Sequence, residues 1–290
     1  MHQDPERTCA DKEQHLRELL RASGRVVVAF SGGIDSAVLL AVAHQELGDG
    51  ALGVLVAGPS LPSHDLEDAR RLADLVGARF EVVAAREQED ERYLANGPDR
   101  CYWCRAALVE TLRPIAEREK AAMVYGAVVD DLGDDRPGMR AAEEGGIRAP
   151  LLEAGLTKRD VREIARRLGL PVWDKPASAC LSSRIPTGVR ITPERLARVD
   201  RAEAALRSLG FGLVRVRDHD DLARIECDEE GLARLADPSV RAAAARAVRE
   251  AGFVRVAVDL EGYRPAGLAV RRLPVASSAP APGDTGPQRG

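Results

Sequence analysis

Arg25-Val-Val-Val-Ala-Phe30-Ser31-Gly32-Gly33-Ile34-Asp35-Ser36, running on into Ala37-Val-Leu-Leu-Ala-Val-Ala43, is the stretch on which the fold turns. Its apolar, β-branched start reads as a parallel strand buried on both faces, and Ser36–Ala43 reads as a packed helix. Between them, Gly32 and Gly33 let backbone N–H groups turn toward one point at a helix N-terminus. Such a point binds phosphate through aligned dipoles and unpaired donors. No Lys-Ser/Thr pair follows, so the lysine grip of a Walker loop on a γ-phosphate is not on offer. What remains is a pyrophosphate cradle built from Ser31, Gly32, Gly33, Asp35 and Ser36, with Asp35 available to help hold Mg2+. A plain glycine-rich turn is the rival reading.

Working outward, strands and helices alternate: Arg25–Phe30, the helix from Ser36, Ala51–Ala57, Asp65–Val76, Arg79–Val83, Ala106–Lys120, Ala122–Tyr125 and Thr157–Leu168. Thr157-Lys-Arg-Asp160 has the form of a capped helix start. This order predicts an α/β fold, a doubly wound parallel sheet with ligands at the carboxyl ends of its strands. The glycine turn lies at such an end. Beyond Pro186-Thr-Gly188 the order becomes helix, strand, strand, helix, strand, which reads as a smaller C-terminal α+β domain with a mostly antiparallel sheet. Period-two alternation in Leu213-Val-Arg-Val-Arg217 predicts one packed face and one open face, the open one carrying arginines. The organisation expected is a helical segment at 1–24, the nucleotide domain at 25–187, the small domain at 188–273 and a disordered tail at 274–290 rich in Pro, Ala, Ser and Gly.

The 290 residues suffice for one large domain or two unequal ones. A formal charge of −4, with only four lysines, argues against bulk attraction to nucleic acid while leaving room for a local basic pocket. No apolar run approaches the roughly 20 residues of a membrane span, and Met-His-Gln-Asp-Pro-Glu does not read as a signal peptide. A cytoplasmic address is expected. There, five cysteines are more often thiols or metal ligands than disulfides.

Arg100-Cys101-Tyr-Trp-Cys104-Arg105 places two thiols three residues apart at a loop entering a helix, and Cys180 follows in Lys175-Pro-Ala-Ser-Ala-Cys180-Leu-Ser-Ser-Arg184. Three converging thiolates could hold an iron–sulfur cluster by three corners, or zinc with one open position. A redox dithiol or unrelated buried cysteines would leave the same spacing. Cys180 stands beside Ser182, Ser183 and Arg184, and a neighbouring cation raises a thiol's thiolate fraction. Reactive sulfur next to an anion-binding arginine is a layout for sulfur transfer. Cys9 and Cys227 have no chemical role in this reading.

The Ser-Gly-Gly-Ile-Asp-Ser turn after a strand resembles the PP-loop ATP pyrophosphatases, which activate a carbonyl or carboxylate by transferring AMP. Taken with Cys101-Tyr-Trp-Cys104, Asp130-Asp-Leu-Gly-Asp-Asp-Arg-Pro-Gly-Met-Arg140, Trp173–Pro186 and Asp259-Leu-Glu-Gly-Tyr-Arg264, the chain from about residue 20 to about 270 is similar to the ATP-dependent sulfur transferase family LarE. That resemblance implies adenylylation of the carboxylates of a pyridinium-3,5-biscarboxylic acid mononucleotide, followed by their conversion to thiocarboxylates for a nickel-pincer nucleotide cofactor. It implies ATP and Mg2+, with Cys180 and Asp35 catalytic. Cys101, Cys104 and Cys180 would hold a [4Fe-4S] cluster carrying an extra sulfide. In the other branch of the family, a single cysteine corresponding to Cys180 gives up its own sulfur and becomes dehydroalanine. Ser183, Arg184, Arg215 and Arg217 would hold the substrate phosphate, with Glu203, Glu226 and Asp259 at acidic positions nearby. Where relatives often show Gly-Thr-Asn, this chain has Gly126-Ala-Val128.

The resemblance also implies a homo-oligomer, a hexamer, and names no sulfide donor or recipient enzyme. A PP-loop tRNA thiolase is the runner-up, disfavoured by the negative charge. NAD or GMP synthetases have no need of the cysteine motifs, and a nucleotide sensor would have no use for a cysteine beside Arg184.

Overall fold

A computed structural model describes residues 8–133, 137–175 and 178–264. The expected tail at 274–290, Asp134–Arg136 within the aspartate-rich motif, and Pro176–Ala177 lie outside the described residues. In chain order the elements are α1 (Cys9–Ser23), β1 (Val26–Ala29), α2 (Ile34–Leu47), β2 (Ala51–Ala57), α3 (Ser63–Val76), β3 (Arg79–Ala84), α4 (Glu91–Leu94), α5 (Arg100–Glu119), β4 (Ala122–Tyr125), α6 (Pro137–Glu144), α7 (Pro150–Glu153) and α8 (Lys158–Arg167). The small domain follows with α9 (Pro193–Ser208), β5 (Val214–His219), β6 (Leu222–Cys227), α10 (Glu229–Arg234), α11 (Pro238–Glu250) and β7 (Arg255–Val258).

The first four strands form a parallel sheet in the order β3-β2-β1-β4, with Val26 in register with both Ala51 and Ala122. A strand with neighbours on both sides and helices on both faces has no polar face to show. Val26, Val27 and Val28 are accordingly all fully buried. One face packs Val26 and Val28 against α2, α8 and α1, and the other packs Val27 against α5 and its neighbours. Each fully buried Leu or Val side chain contributes about 1.5–3 kcal/mol. The crossovers leave the strand carboxyl ends, near Ala29, Ala57 and Tyr125, free to carry a site. Helix α8 opens with a complete capping box between Thr157 and Asp160, as the sequence predicts.

The small sheet differs from its expectation. β5 and β6 are antiparallel, but β7 runs parallel to β6, with Leu222 opposite Arg255. A parallel neighbour needs a crossover, and α10 together with α11 supplies it; the short helix α10 was not anticipated. The expected open, arginine-bearing face is also corrected. Arg215 is only 6% exposed, because the 179–187 segment and Tyr263 wall that face into a cavity. The core of this domain takes in Tyr93, Leu181 and Ile185 from earlier in the chain, with Trp103 and Cys104 packed against it. Thus the cysteine-bearing segments sit where the two cores meet. Among the described residues no helix is long and apolar enough to cross a membrane.

Candidate active site

The glycine turn forms the first part of the site. Gly33 caps α2 with no side chain of its own, so the first N–H groups of the helix face the turn without a side-chain acceptor. The Ser36 hydroxyl donates to the Gly33 carbonyl at 3.0 Å and accepts the Ser31 N–H at 3.2 Å, closing the loop on itself. Gly32 lies at φ +74°, and a Cβ there would stand 3.0 Å from that of Ala69. Behind the turn, a Cβ on Gly126 would come within 2.8 Å of the Ser36 nitrogen, so only glycine lets β4 end against the start of α2. The resulting cavity of about 200 Å³ is lined by Ser31, Gly33, Asp35 and Ser36 on one side and by Leu61, Arg105 and Tyr125 on the other. Ala127 and Val128 are buried in the packed interior.

Asp35 has two unlike oxygens. Its Oδ2 accepts from Lys158 Nζ, while Oδ1 is buried with no hydrogen-bond partner among the described residues. Burial raises the Asp35 carboxyl above the usual range, and Lys158 opposes that rise. Lys158 also lies 3.9 Å from Asp131, and its N–H donates to Asp130. An orphaned carboxylate oxygen beside a phosphate-type cradle is a fitting ligand for a hard divalent cation.

The second part is a cavity of about 510 Å³ between the small sheet and the 179–187 segment. Ser183, Arg184, Arg215 and Arg217, the four residues expected to hold a phosphate, all line it. Their roles in the wall differ. Arg184 and Glu203 form a buried pair, 1% and 0% exposed, with Nε and Nη2 donating to the two carboxylate oxygens at 2.8 and 3.1 Å. Burial works against ionisation of Glu203, yet the Arg184 contacts outweigh it and hold the carboxyl below its usual range. Arg184 Nη1 donates to the carbonyls of Ala179 and Cys180 at 2.6 and 2.9 Å. Its hydrogen bonds therefore brace the cysteine loop. Arg217 is held by Glu226, which also meets Arg224, while Arg224 reaches Asp259.

Arg215 is the exception. Its Nη1 donates to the Val214 carbonyl and it lies over the Tyr263 ring, but among the described residues it has no carboxylate within ion-pair distance. Burial, with Arg184 close by, presses Arg215 below the usual arginine value. A buried cation whose nearest offsetting charge, Glu203, lies beyond ion-pair distance and already serves Arg184 is suited to an anion from outside.

The third part joins the other two. The expectation of a loop at Cys101 is corrected: α5 begins at Arg100, so Cys101 and Cys104 lie one turn apart on one helix. Cys180 is exposed just ahead of the short turn Leu181–Arg184, and the next N–H, of Leu181, donates to the Ser60 carbonyl at 2.8 Å. That bond ties the cysteine to the loop after β2, beside Leu61 of the nucleotide cavity. Burial, and then Cys180, pushes the Cys104 thiol up to about 12, with Cys101 adding in the same direction. Cys104 thus lies within electrostatic reach of both Cys180 and Cys101. Among the described residues no three metal-ligating side chains close on a single ion. Cys9 and Cys227 lie apart, one against the Asp160 carbonyl and one in the small-domain core.

Several residues absent from the sequence reading hold this arrangement together. Tyr93, 1% exposed, meets the Ser182 hydroxyl at 2.6 Å. Asn96, fully buried, donates through Nδ2 to the carbonyls of Pro186 and Val189 at 2.8 Å each. Lys175 and Ser178 tie the start of the same segment to Asp65 on α3. The one signal for Asn96 in the sequence is Asn-Gly, a turn dipeptide, and it says nothing of the distant carbonyls.

Comparison with known proteins agrees with this geometry. A family model described as NAD synthase matches residues 9–91, the stretch holding β1, the glycine turn and β2–β3. The chain is 39% identical over 260 residues to pyridinium-3,5-bisthiocarboxylic acid mononucleotide synthase of Lactiplantibacillus plantarum, covering 89% of this chain and 93% of that protein. It is 42% identical over 258 residues to an uncharacterized protein of Synechocystis, covering 87% and 95%. Similarity to the tRNA-specific 2-thiouridylase of Azorhizobium caulinodans, 33% identity, covers 54% of this chain and 50% of that enzyme. With the glycine turn, the three-cysteine junction and the arginine cavity joined in one fold, and with near full-length similarity to that synthase, the chain belongs to the LarE family of PP-loop ATP-dependent sulfur transferases.

Proposed function

We propose that this enzyme adenylylates the carboxylates of pyridinium-3,5-biscarboxylic acid mononucleotide and converts them to thiocarboxylates. The observation that carries the reading is the position of the Cys180 loop. It is bonded at Leu181 to the nucleotide-cavity loop and lines the arginine cavity through Ser183 and Arg184. A substrate anchored by its phosphate on Arg215, with Ser183 and Arg217 beside it, would present a carboxylate toward the glycine turn. There the N–H groups at the start of α2 would bind the ATP phosphates, and Asp35 Oδ1 would hold Mg2+. Bound Mg2+ would offset the charge gathering on the departing pyrophosphate.

A carboxylate oxygen attacks the α-phosphorus and pyrophosphate leaves. A sulfur nucleophile then attacks the acyl carbon, and AMP leaves with the bond electrons. For the source of that sulfur, the donor set supports a [4Fe-4S] cluster on Cys101, Cys104 and Cys180. Three thiolates would hold three corners of such a cluster and leave its fourth iron open to a sulfide, and Cys104 lies within electrostatic reach of both Cys101 and Cys180. Bound there, the cluster would supply a sulfide ligand; Tyr93, Asn96 and Arg184 would hold the Cys180 turn beside it.

The exposure of Cys180 supports a second reading. Its own sulfur would form a thioester with the substrate, and loss of the Cα proton would break the Cβ–S bond, leaving dehydroalanine. By resemblance the enzyme works in the cytoplasm as a homo-oligomer, a hexamer. Oxygen-free incubation with ATP, Mg2+ and the pyridinium biscarboxylate tests the whole reading by mass spectrometry of product and chain. Thiocarboxylate with an intact, iron-bearing chain supports the cluster; thiocarboxylate with dehydroalanine at position 180 supports the second source; no thiocarboxylate overturns the assignment.

A further inference from the structure

Arg100 holds a place that no motif assigns. It opens α5, the helix bearing Cys101 and Cys104, and its Nη1 donates to the Asn96 side-chain oxygen at 2.7 Å and to the Ser182 carbonyl at 3.0 Å. Ser182 is two residues from Cys180. Arg100 Nη2 lies 3.9 Å from Cys101 Sγ. One guanidinium therefore touches the helix that carries two of the thiols, the turn that follows the third, and a sulfur itself. Most arginines among the described residues spend their charge on carboxylates, as Arg25 and Arg79 do on Glu119 and Arg190 does on Glu91. Among the described residues Arg100 has no carboxylate partner, and its acceptors are an amide oxygen, a carbonyl and a thiol.

We propose that Arg100 is a positioning residue that sets the reach between Cys180 and the Cys101/Cys104 pair. The inference rests on the sulfur-transfer reading above and adds the part that fixes its sulfur geometry. Asn96 and Tyr93 hold the 182–189 segment from one side, and among the hydrogen bonds of the described residues Asn96 meets α5 only through Arg100. Arg100 alone, among the hydrogen bonds of the described residues, bridges the cysteine helix to the cysteine turn. Its planar guanidinium fixes the two Nη1 N–H directions on these acceptors while Nη2 faces Cys101, an orientation that a freely rotating lysine ammonium does not hold. Loss of the guanidinium would let the two cysteine segments drift, while leaving the ATP cradle and the arginine cavity as they are.

The test uses the full chain, reduced and free of iron, with dibromobimane, whose two bromomethyl groups bridge two neighbouring thiols with release of two bromides and two protons. Peptide mapping identifies which thiols are joined. Wild-type protein should join Cys180 to Cys101 or Cys104. Arg100→Met should slow that bridge about tenfold, a loss of about 1.4 kcal/mol in preorganisation. Arg100→Lys, which keeps a donor for one acceptor, should fall between. Monobromobimane labelling of Cys104 and Cys180 should stay within about twofold across all variants, and bridging at Cys101 is taken relative to that thiol's own monobromobimane rate, which separates a change of spacing from a change of folding, access or thiol reactivity. Should Arg100→Met not fold, the Arg100→Lys chain carries the comparison. Bridging at the wild-type rate in the variant, or no bridge to Cys180 in the wild type, overturns the proposal. The reagent reports spacing and not turnover. Intact thiocarboxylate formation with unchanged bridging removes Arg100's role alone, and intact bridging without thiocarboxylate removes the reaction alone.

Discussion

Arg215 offers a sharp perturbation, because binding and stability should move differently when it is removed. It is buried, faces the cavity, and has no carboxylate partner among the described residues. In Arg215→Met the phosphate of the substrate loses a two-pronged donor. Each hydrogen bond to a charged group contributes about 1.5–3 kcal/mol, so the pair at the low end gives about 3 kcal/mol, or about 150-fold in Kd. The folded protein, meanwhile, sheds a buried charge that no ion pair among the described residues holds, so its melting temperature should hold or rise. Calorimetric titration with the pyridinium mononucleotide and with its dephosphorylated nucleoside measures the first effect, and thermal unfolding the second. The 150-fold loss should appear with the nucleotide and shrink to within about threefold for the nucleoside. Equal losses for both ligands, or a melting temperature several degrees lower, would refute the reasoning, because Arg215 would then be a structural element of the wall.

Arg184→Met should behave in the opposite sense: it takes two charged hydrogen bonds from the buried Glu203 and leaves Arg207 and the Val216 N–H to hold that carboxylate, costing about 3 kcal/mol, and a melting temperature at least about 6 °C lower in a thermal scan checks it. Gly126→Ala forces a Cβ against the Ser36 nitrogen, so the start of α2 must shift. The expected results are about 1–3 kcal/mol of lost stability and a KM for ATP raised about tenfold or more in a pyrophosphate-release assay. Asp35 has a raised folded value, so between the unfolded and folded values the native state holds the extra proton and stability falls as pH rises through that window. Asp35→Asn should therefore be as stable as wild type or more so at neutral pH by denaturant titration, lose that advantage as the medium becomes acidic, and fail to release pyrophosphate. Cys104, pushed up to about 12, stays a thiol at pH 8, and timed iodoacetamide labelling of reduced, iron-free protein should find it slower than the exposed Cys180.

Much of the nucleotide half was legible because its signals are local. Val26–Ala29 carries the continuous apolar run that a doubly covered strand requires, and the glycines of the turn sit within a few residues of the helix they cap. Thr157 and Asp160 announce α8 for the same reason. What stayed hidden was non-local. Alternation in β5 placed Arg215 and Arg217 on one face, but could not show that a segment some thirty residues earlier closes over it. Arg184 reads as an anion ligand beside Ser183, and only its packing against Glu203 on α9 reveals a brace. The direction of β7 follows from the helices between it and β6, which set a crossover in place of a hairpin. The clamp formed by Tyr93, Asn96 and Arg100 gives no periodic signal, since its partners lie more than eighty residues away.

The claim on which the account depends is that sulfur delivery requires Cys180 and comes after, and apart from, activation by ATP. Rapid-quench analysis of Cys180→Ala with ATP, Mg2+ and the pyridinium biscarboxylate separates the two steps. The account predicts pyrophosphate release with accumulation of the acyl-adenylate and no thiocarboxylate. Thiocarboxylate formed at the wild-type rate by that variant would contradict it.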